Sequence, residues 1–239
     1  MKVRIFQKGF NYSQDGPGNR LVWHLAGCSL QCPWCSNPEG KDACAGTELT
    51  VEELVTESLR CRPMFFDGGG VTLTGGEVTE QFDALQMILK SLKEHDVHTC
   101  IETNGTHPLL PSLFPFIDYL IMDCKHYDKA RYSRIIGGGF DTVIKNLEAC
   151  KKRQVALRIP LIGGFNSRDE DAFGFVNLFK AIESENMTVE LLPYHEYGKD
   201  KYEKLGLTYT VTEDAKVSPM QVEKFAEIIK NAGIKLIKT

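Results

Sequence analysis

Three cysteines near the start of the chain have the spacing expected of a metal centre. Cys28, Cys32 and Cys35 lie at positions i, i+4 and i+7, directly after an apolar run at 21–26. A structural zinc ion prefers four protein ligands, and no nearby fourth cysteine or histidine pair completes such a set. A four-iron cluster held by three thiolates leaves one iron open to a small molecule. The spacing therefore favours an iron–sulfur cluster, with a zinc or simple electron-transfer site as the alternative.

Two other groups of residues stand where predicted strands end. Gly75, Gly76 and Glu77 follow a short apolar run, and glycine there lets a backbone approach a ligand closely. By itself, Gly-Gly-Glu is also an ordinary turn. Asp123 and Lys125 lie two residues apart on a strand end, so their side chains share one face. They could bind a charged ligand or form a salt bridge with each other.

A charge within an apolar strand and a histidine after another strand complete the candidates. Arg158 lies between Leu157 and Ile159, and such a residue is rarely buried without a partner. We expect it to pair with a bound carboxylate or with an acid such as Asp123. His195 follows a predicted strand and could contact a ligand or have a structural role.

Strands and helices must position these residues, and their patterns alternate along the chain. Short apolar or β-branched runs predict strands at 21–26, 71–74, 98–101, 119–122, 156–160 and 188–192, with a final one at 234–237. Apolar spacings of three and four predict helices at 50–59, 79–94, 140–152, 169–185 and 219–231. The first of these helices opens with a capping box formed by Thr50 and Glu53.

Six strands interleaved with helices imply a mainly parallel sheet with right-handed crossovers. Eight such units would leave little room for the loops around Cys28 and 194–219. The predicted fold class is therefore α/β, a partial (β/α)6 TIM-like barrel, with a flat doubly wound sheet as the alternative. In both folds ligands bind beyond the carboxyl ends of the strands, where the candidate residues lie.

Composition limits the classes of function. The chain has 239 residues, 42% of them hydrophobic, and a net charge of −4, so no global basic field indicates nucleic acid. No apolar stretch approaches the roughly 20 residues that cross a bilayer, and the N-terminus lacks a secretory signal. We expect a cytoplasmic protein in a reducing compartment. Five scattered cysteines are predicted to be small buried hydrophobes: Cys44, Cys61, Cys100, Cys124 and Cys150.

A family resemblance sharpens this prediction. The pattern Cys28-x-x-x-Cys32-x-x-Cys35, with Trp34 before the last cysteine, resembles the signature of the radical S-adenosylmethionine (SAM) superfamily. Further segments are similar, in order, to motifs of glycyl-radical-enzyme activating enzymes: DGPGNR at 15–20, GGE at 75–77, ETNG at 102–105, DCK at 123–125 and LLPYHEYGK at 191–199. The resemblance extends from about residue 15 to about residue 209.

The resemblance implies an oxidoreductase that cleaves SAM reductively at a 4Fe-4S cluster. The resulting 5′-deoxyadenosyl radical would abstract hydrogen from a glycine of a partner glycyl radical enzyme, with a flavodoxin- or ferredoxin-type reductant as electron source. A radical SAM enzyme acting on a small molecule is the alternative. Only Cys44 and Cys61 lie between Cys35 and Gly75, so auxiliary clusters are not expected. Residues 1–239 are therefore interpreted as a single radical SAM domain without a ferredoxin-like insertion.

The resemblance also assigns expected roles to single residues. The cluster ligands would be Cys28, Cys32 and Cys35. The residues expected to contact SAM, or the adenosyl and cluster region, are Trp34, Asn37, Gly75, Gly76, Glu77, Glu102, Thr103, Asp123, Lys125, Arg158 and His195.

Two smaller sites are implied in the same way. Glu102, Thr103 and Asp123 would bind a monovalent cation beside the SAM carboxylate, although Glu102 replaces the aspartate of the best-known family member. Asp15 and Gly16 would lie at the mouth of the active site, near the glycine loop of the partner protein.

Overall fold

Strands and helices alternate along the chain in the computed structural model, which describes residues 1–182 and 186–238. Nine strands lie within these residues: Lys2–Tyr12 (β1), Asn19–Leu25 (β2), Thr47–Thr50 (β3), Gly70–Gly75 (β4), Thr99–Thr103 (β5), Tyr119–Asp123 (β6), Val155–Leu161 (β7), Met187–Pro193 (β8) and Lys235–Ile237 (β9).

Seven α-helices lie within the same described ranges: Val51–Arg60 (α1), Phe82–Glu94 (α2), Lys129–Ile135 (α3), Phe140–Ala149 (α4), Asp169–Ile182 (α5), Lys199–Lys204 (α6) and Pro219–Asn231 (α7). None of the described helices is both long enough and apolar enough to span a bilayer. Short 3-10 helices lie at Pro38–Gly40, Arg62–Met64, Val78–Gln81, Leu110–Phe116 and Glu213–Ala215.

The chain divides into two compact units, which are described separately. The first comprises Met1–Ser29, Asn37–Thr103 and His107–Ile121, and the second comprises Leu30–Ser36, Asn104–Thr106 and the chain from Met122 onward. The cysteine loop contributes to both, because Cys28 belongs to the first unit and Cys32 and Cys35 to the second.

The first unit is built on strands in the order β3-β1-β2-β4-β5-β6, where β6 contributes as far as Ile121. β1 is antiparallel to β2 and to β3, whereas β2, β4 and β5 run parallel. β2 and β4 are buried along almost their whole length, as expected of parallel strands covered on both faces. Leu85, Ile88 and Leu89 of α2 are fully buried and form part of this core.

In the second unit β7, β8 and β9 pair in parallel. Phe175 and Phe179 of α5 lie with their ring centroids 5.9 Å apart, and Phe225 of α7 lies 6.2 Å from Phe175. All three rings are buried. The aromatic packing between α5 and α7 therefore forms a large part of the core of this unit.

All seven predicted strands are present, and the predicted capping box forms between Thr50 and Glu53. The helix predicted from residue 79 instead begins at Phe82, after the short 3-10 helix at Val78–Gln81. The helix predicted to reach residue 152 ends at Ala149. The last three residues of the helix predicted at 169–185 lie outside the described residues.

None of the eight cysteines, all of which lie within the described residues, forms a disulfide. Cys100, Cys124 and Cys150 are buried as predicted, and burial raises the pKa of both Cys124 and Cys150 to about 12. The thiols of Cys124 and Cys150 stay protonated and behave as small hydrophobes. The prediction is wrong for Cys44, which is exposed, and for Cys61, which is half-buried, because both lie in loops or at a helix end.

Candidate active site

The first cysteine lies directly beyond the carboxyl end of β2. Gly27, with φ of +101°, turns the chain there, a conformation that glycine adopts readily. The backbone N–H of Gly27 donates to the carbonyl of Gly40 at 2.8 Å, and that of Cys28 donates to the carbonyl of Lys41 at 3.2 Å. The segment at Gly40 and Lys41 therefore fixes the base of the cysteine loop in the first unit.

Gly75 and Gly76 are packed against this same base. The N–H of Gly76 donates to the carbonyl of Leu25 at 2.9 Å, and that of Glu77 donates to the carbonyl of Gly27 at 2.7 Å. A Cβ on Gly76 would lie 2.4 Å from the carbonyl oxygen of Gly40 and 2.5 Å from that of Gly27. The close approach predicted for these glycines is thus made to backbone, and their contact with SAM stays a prediction.

Glu77 is buried at the end of β4. Its Oε1 accepts hydrogen bonds from the N–H of Thr79 at 3.0 Å, from the hydroxyl of Thr79 at 2.5 Å and from the hydroxyl of Thr103 at 2.6 Å. On the same edge, the hydroxyl of Thr74 donates to Oε2 of Glu102 at 3.2 Å. Three predicted site residues, Glu77, Glu102 and Thr103, therefore lie together at the carboxyl ends of β4 and β5.

Asp15 and Gly16 lie elsewhere. Their turn connects β1 to β2, so it stands at the amino end of β2, whereas Cys28 follows the carboxyl end. Seven residues of strand separate these ends, a length of about 20 Å. The turn therefore precedes the strand that the cysteines follow, and its expected position at the mouth of the active site, near the glycine loop of the partner, stays a prediction.

In the second unit, three contacts hold the loop that carries Cys32 and Cys35. The N–H of Gln31 donates to the carbonyl of Ile136 at the end of α3, at 2.9 Å. The hydroxyl of Tyr202 in α6 donates to the carbonyl of Pro33 at 3.4 Å. Gly198 lies so close that an added Cβ would be 2.2 Å from the carbonyl oxygen of Cys35. These contacts fix the loop in place without using either thiol.

Asp123 and Lys125 form a nearly buried ion pair, with side chains 21% and 12% exposed. Burial opposes the charge of Lys125, but its electrostatic interactions with Asp123 and Cys32 and its hydrogen bond to Asp123 raise its pKa above the usual value. Lys125 therefore stays protonated and places a positive charge near Cys32, where it would stabilise a thiolate. The salt bridge left open by the sequence is present.

Arg158 pairs with Glu190, a residue that the sequence did not single out. Nε of Arg158 lies 2.9 Å from Oε2 of Glu190, and both side chains are buried. The two residues are register partners in the parallel pair β7 and β8. This partner explains how a charge is accommodated in an apolar strand, and contact with SAM stays a prediction.

Trp34 packs against Phe165 in a tilted arrangement, with ring centroids 5.0 Å apart and an interplanar angle of 46°. Both rings line a pocket of about 320 Å³ in the second unit, together with Arg131 and Arg134. Nη1 of Arg131 lies 2.8 Å from Oδ1 of Asp171. The aromatic residue of the cysteine loop therefore borders a cavity whose lining contains two arginines and Asp214.

His195 stacks on Tyr197, with centroids 4.1 Å apart, and its Nδ1 accepts a hydrogen bond from the N–H of Tyr197 at 3.4 Å. Burial lowers the pKa of His195, so the ring is neutral near pH 7.

In the first unit, Asn37 precedes the 3-10 helix at Pro38–Gly40, and its backbone carbonyl accepts a hydrogen bond from the N–H of Gly40 at 3.0 Å. The contacts of Asn37 and His195 with the adenosyl region stay predictions.

Sequence reasoning missed Glu190, the partner of Arg158, and three residues around the second part of the cysteine loop: Tyr132, Gly198 and Tyr202. Gly198 belongs to the segment 191–199 that carried the family resemblance, and its closeness to Cys35 gives that glycine a physical reason. No sequence signal marks Tyr132, Glu190 or Tyr202, because their positions depend on long-range packing. Within residues 1–182 and 186–238, no three histidine, cysteine or carboxylate side chains gather closely enough to hold a metal ion. The shared site of the three cysteines stays a prediction.

Comparison with known proteins tests the family. The model of the radical SAM superfamily matches residues 24–176, more than half of the chain. A pyruvate formate-lyase-activating enzyme from Clostridium pasteurianum is 38% identical over 222 residues, which cover 90% of this chain and 91% of that protein. An indoleacetate decarboxylase activating enzyme from Tractidigestivibacter scatoligenes is 28% identical, covering 99% of this chain and 97% of its own.

A solved structure supports the fold. The crystal structure of a radical SAM methyltransferase from Sphaerobacter thermophilus matches with a TM-score of 0.67 at 18% identity, covering 99% of this chain and 76% of that one. The predicted fold class, an α/β partial barrel of the radical SAM type, is confirmed. The chain belongs to the radical SAM superfamily and, within it, to the activating enzymes of glycyl radical enzymes.

Proposed function

We propose that this protein generates the glycyl radical of one partner enzyme, with Cys28, Cys32 and Cys35 as the ligands of its 4Fe-4S cluster. The cluster and SAM are the cofactors of its family and of this chain. The observation that carries the residue assignment is the loop of Cys32 and Cys35, which backbone contacts at Gln31 and Pro33 fix in place and in which neither cysteine forms a disulfide.

The residues around this loop fit such a cluster. Three thiolates on one iron–sulfur cluster bring excess negative charge, and the buried ammonium of Lys125 lies near Cys32 to offset it. Burial keeps Cys124 and Cys150 protonated, so these two do not compete for iron. When bound, the cluster supplies the electron that cleaves SAM, and the protein supplies binding, orientation and exclusion of water.

The charged residues of the second unit would orient SAM. Lys125 and Arg158 provide the cations for its carboxylate, each already held in place by an acid, Asp123 and Glu190 respectively. Because both pairs are almost buried, their geometry is fixed before SAM arrives. Trp34 would cover the cluster and the adenine. His195, neutral near pH 7, would hydrogen-bond the adenosyl group.

The first unit would contribute the methionyl end of the site. Gly75, Gly76 and Glu77 form the turn that supports the cysteine loop, and their remaining backbone groups would contact the amino group of SAM. Asn37 would hydrogen-bond the adenosyl or cluster region. We retain Glu102, Thr103 and Asp123 as ligands of a monovalent cation beside the SAM carboxylate, since carboxylate and hydroxyl oxygens suit such an ion.

The partner enzyme would present an extended glycine loop. Hydrogen abstraction from a peptide glycine Cα is favourable because the radical is delocalised over the flanking amide groups. Asp15 and Gly16 would contact the partner at the amino end of β2. A single segment that touched both this turn and Cys28 would have to run the length of that strand, about 20 Å.

The reductant would be a small protein of the flavodoxin or ferredoxin type, acting in the cytoplasm. The pocket beside Trp34 supports this proposal, because the exposed Arg134 in its lining suits an acidic surface. That none of the eight cysteines in the described residues forms a disulfide supports a reducing compartment.

The test is anaerobic reconstitution of the cluster, followed by addition of a reductant, SAM and a candidate partner. We expect 5′-deoxyadenosine and, with pyruvate formate-lyase or indoleacetate decarboxylase as partner, a glycyl signal in electron-spin resonance. A partner whose radical-bearing glycine is replaced by alanine is the control and should give no such signal. Failure to form 5′-deoxyadenosine would overturn the proposed chemistry. Turnover of a small molecule without any glycyl signal would favour the alternative enzyme class.

A further inference from the structure

Tyr132 in α3 carries a buried hydroxyl with an unsatisfied hydrogen bond. The side chain is 1% exposed, and its hydroxyl has no hydrogen-bond partner among the residues that the structure describes. The ring packs edge-on against Phe140, with centroids 5.4 Å apart. Buried polar groups are nearly always paired in folded proteins, so this group requires an explanation.

The surroundings of Tyr132 connect it to the cysteine loop. The carbonyl of Ile136, one turn further along, accepts the N–H of Gln31, the neighbour of Cys32. The N–H of Ile136 in turn donates to the carbonyl of Tyr132 at 2.8 Å, which ties the two positions into one rigid turn. The charged groups that act on the hydroxyl are Lys125, Cys32, Asp123 and Cys124.

These groups differ in whether they can accept a hydrogen bond from the hydroxyl of Tyr132. Lys125 and Asp123 are paired with each other, and within the described residues the hydroxyl of Tyr132 donates to none of these groups. A tyrosine hydroxyl has one hydrogen bond to donate. A Cys32 thiolate bound to iron would add an acceptor to these surroundings.

We propose that the hydroxyl of Tyr132 donates a hydrogen bond to the sulfur of Cys32 when the loop holds its cluster, and that this bond raises the reduction potential of the cluster. The inference rests on the proposed role of Cys32 as a ligand. Hydrogen bonds to the sulfurs stabilise the more negative, reduced state, which makes reduction easier. Tyr132 would thus be a positioning residue that tunes the electron source.

The test compares Tyr132→Phe with Tyr127→Phe in the reconstituted protein without SAM. Tyr127 is a matched control, because its hydroxyl donates to Asp171 at 3.1 Å and away from the cysteines. We expect Tyr132→Phe to lower the ratio of reduced to oxidised cluster at a fixed potential by about tenfold, which is 59 mV for one electron. The control should keep the ratio of the unchanged protein.

A second measurement separates this role from simple packing. In the cluster-free chain the hydroxyl has no partner, so Tyr132→Phe should raise the midpoint of thermal unfolding. A lower midpoint would mean a structural role and would overturn the proposal. An unchanged reduction potential of the cluster in Tyr132→Phe would also overturn the proposal. This holds even if the variant binds SAM more weakly. If the unchanged protein takes up no cluster at all, the proposed function fails; if both proteins take it up with equal potential, only this inference fails.

Discussion

Arg20 in the first unit and Tyr132 in the second are both fully buried polar side chains, but protein partners satisfy them very differently. Nε of Arg20 donates to the hydroxyl of Thr72 at 2.7 Å, and its two terminal nitrogens donate to the carbonyls of Val71 at 2.8 Å and Pro17 at 3.0 Å. The hydroxyl of Tyr132 has no hydrogen-bond partner among the described residues. Burial alone therefore does not reveal what a polar group is for.

The difference separates architecture from a binding site. Arg20 holds together the turn before β2 and the start of β4, so its hydrogen bonds are complete without any ligand. The hydroxyl of Tyr132 has no such partner among the described residues, and the hydrogen bond proposed for it depends on a cluster bound at Cys32. A satisfied network indicates a structural role, and an unsatisfied donor beside a candidate ligand indicates a place for a cofactor.

The largest effect is expected from Cys32→Ala in the second unit. Loss of one of three thiolates should abolish stable cluster binding. The two neighbouring cysteines, Cys28 and Cys35, are themselves proposed ligands and cannot replace it. Iron per chain should fall to background and 5′-deoxyadenosine should disappear. Cys44→Ala, at an exposed cysteine, is the matched control and should keep both. Full iron content in Cys32→Ala would contradict the assignment.

The next largest effect is expected from a substitution of Arg20 in the first unit. Arg20→Met should destabilise the fold by about 4 kcal/mol, because it leaves several buried acceptors without donors. Urea unfolding measures this loss. Arg134→Met, at an exposed arginine, should stay within about 0.5 kcal/mol of the unchanged protein. If Arg20→Met and Arg134→Met were equally stable, the hydrogen bonds of Arg20 would not have the structural role assigned to them.

Gly76→Ala should cost about 2 kcal/mol, because the new Cβ would overlap the carbonyls of Gly40 and Gly27 at the base of the cysteine loop. Reduced iron loading should accompany the lower stability, since Cys28 follows Gly27. Gly138→Ala is the control: nothing lies within 4 Å of a Cβ there. An alanine at Gly76 with normal unfolding and normal iron content would show that the loop base tolerates displacement.

The smallest effect concerns pH. Burial and the nearby Arg20 lower the pKa of His98 below 6.5, and its Nδ1 lies 3.2 Å from Nη1 of Arg20. The unfolded chain therefore binds more protons below pH 6.5, and stability should fall as the pH decreases through that window towards the native pKa. His98→Gln should make this slope shallower, measured by urea unfolding at about pH 7.5 and about pH 5.5. An unchanged slope would exclude His98 as its source.

Much of the fold follows from local pattern. The helix predicted at 219–231 is observed at those bounds, because Ser218 caps it, Pro219 starts it and Gly233 lies just beyond its end. Buried parallel strands are apolar along their length and are easy to find. β1 was missed, because it pairs antiparallel with β2 and leaves most of its residues at least partly exposed, so its apolar pattern is weak.

The sequence by itself determined the chemistry, since the spacing of Cys28, Cys32 and Cys35 and the order of the other motifs identified the family. Only the tertiary structure decided the partners. Arg158 meets Glu190, 32 residues away, through the register of two parallel strands, and Tyr132 lies near Cys32 because α3 is bonded to the cysteine loop. Such pairings depend on how distant segments pack, which local residue spacing does not encode.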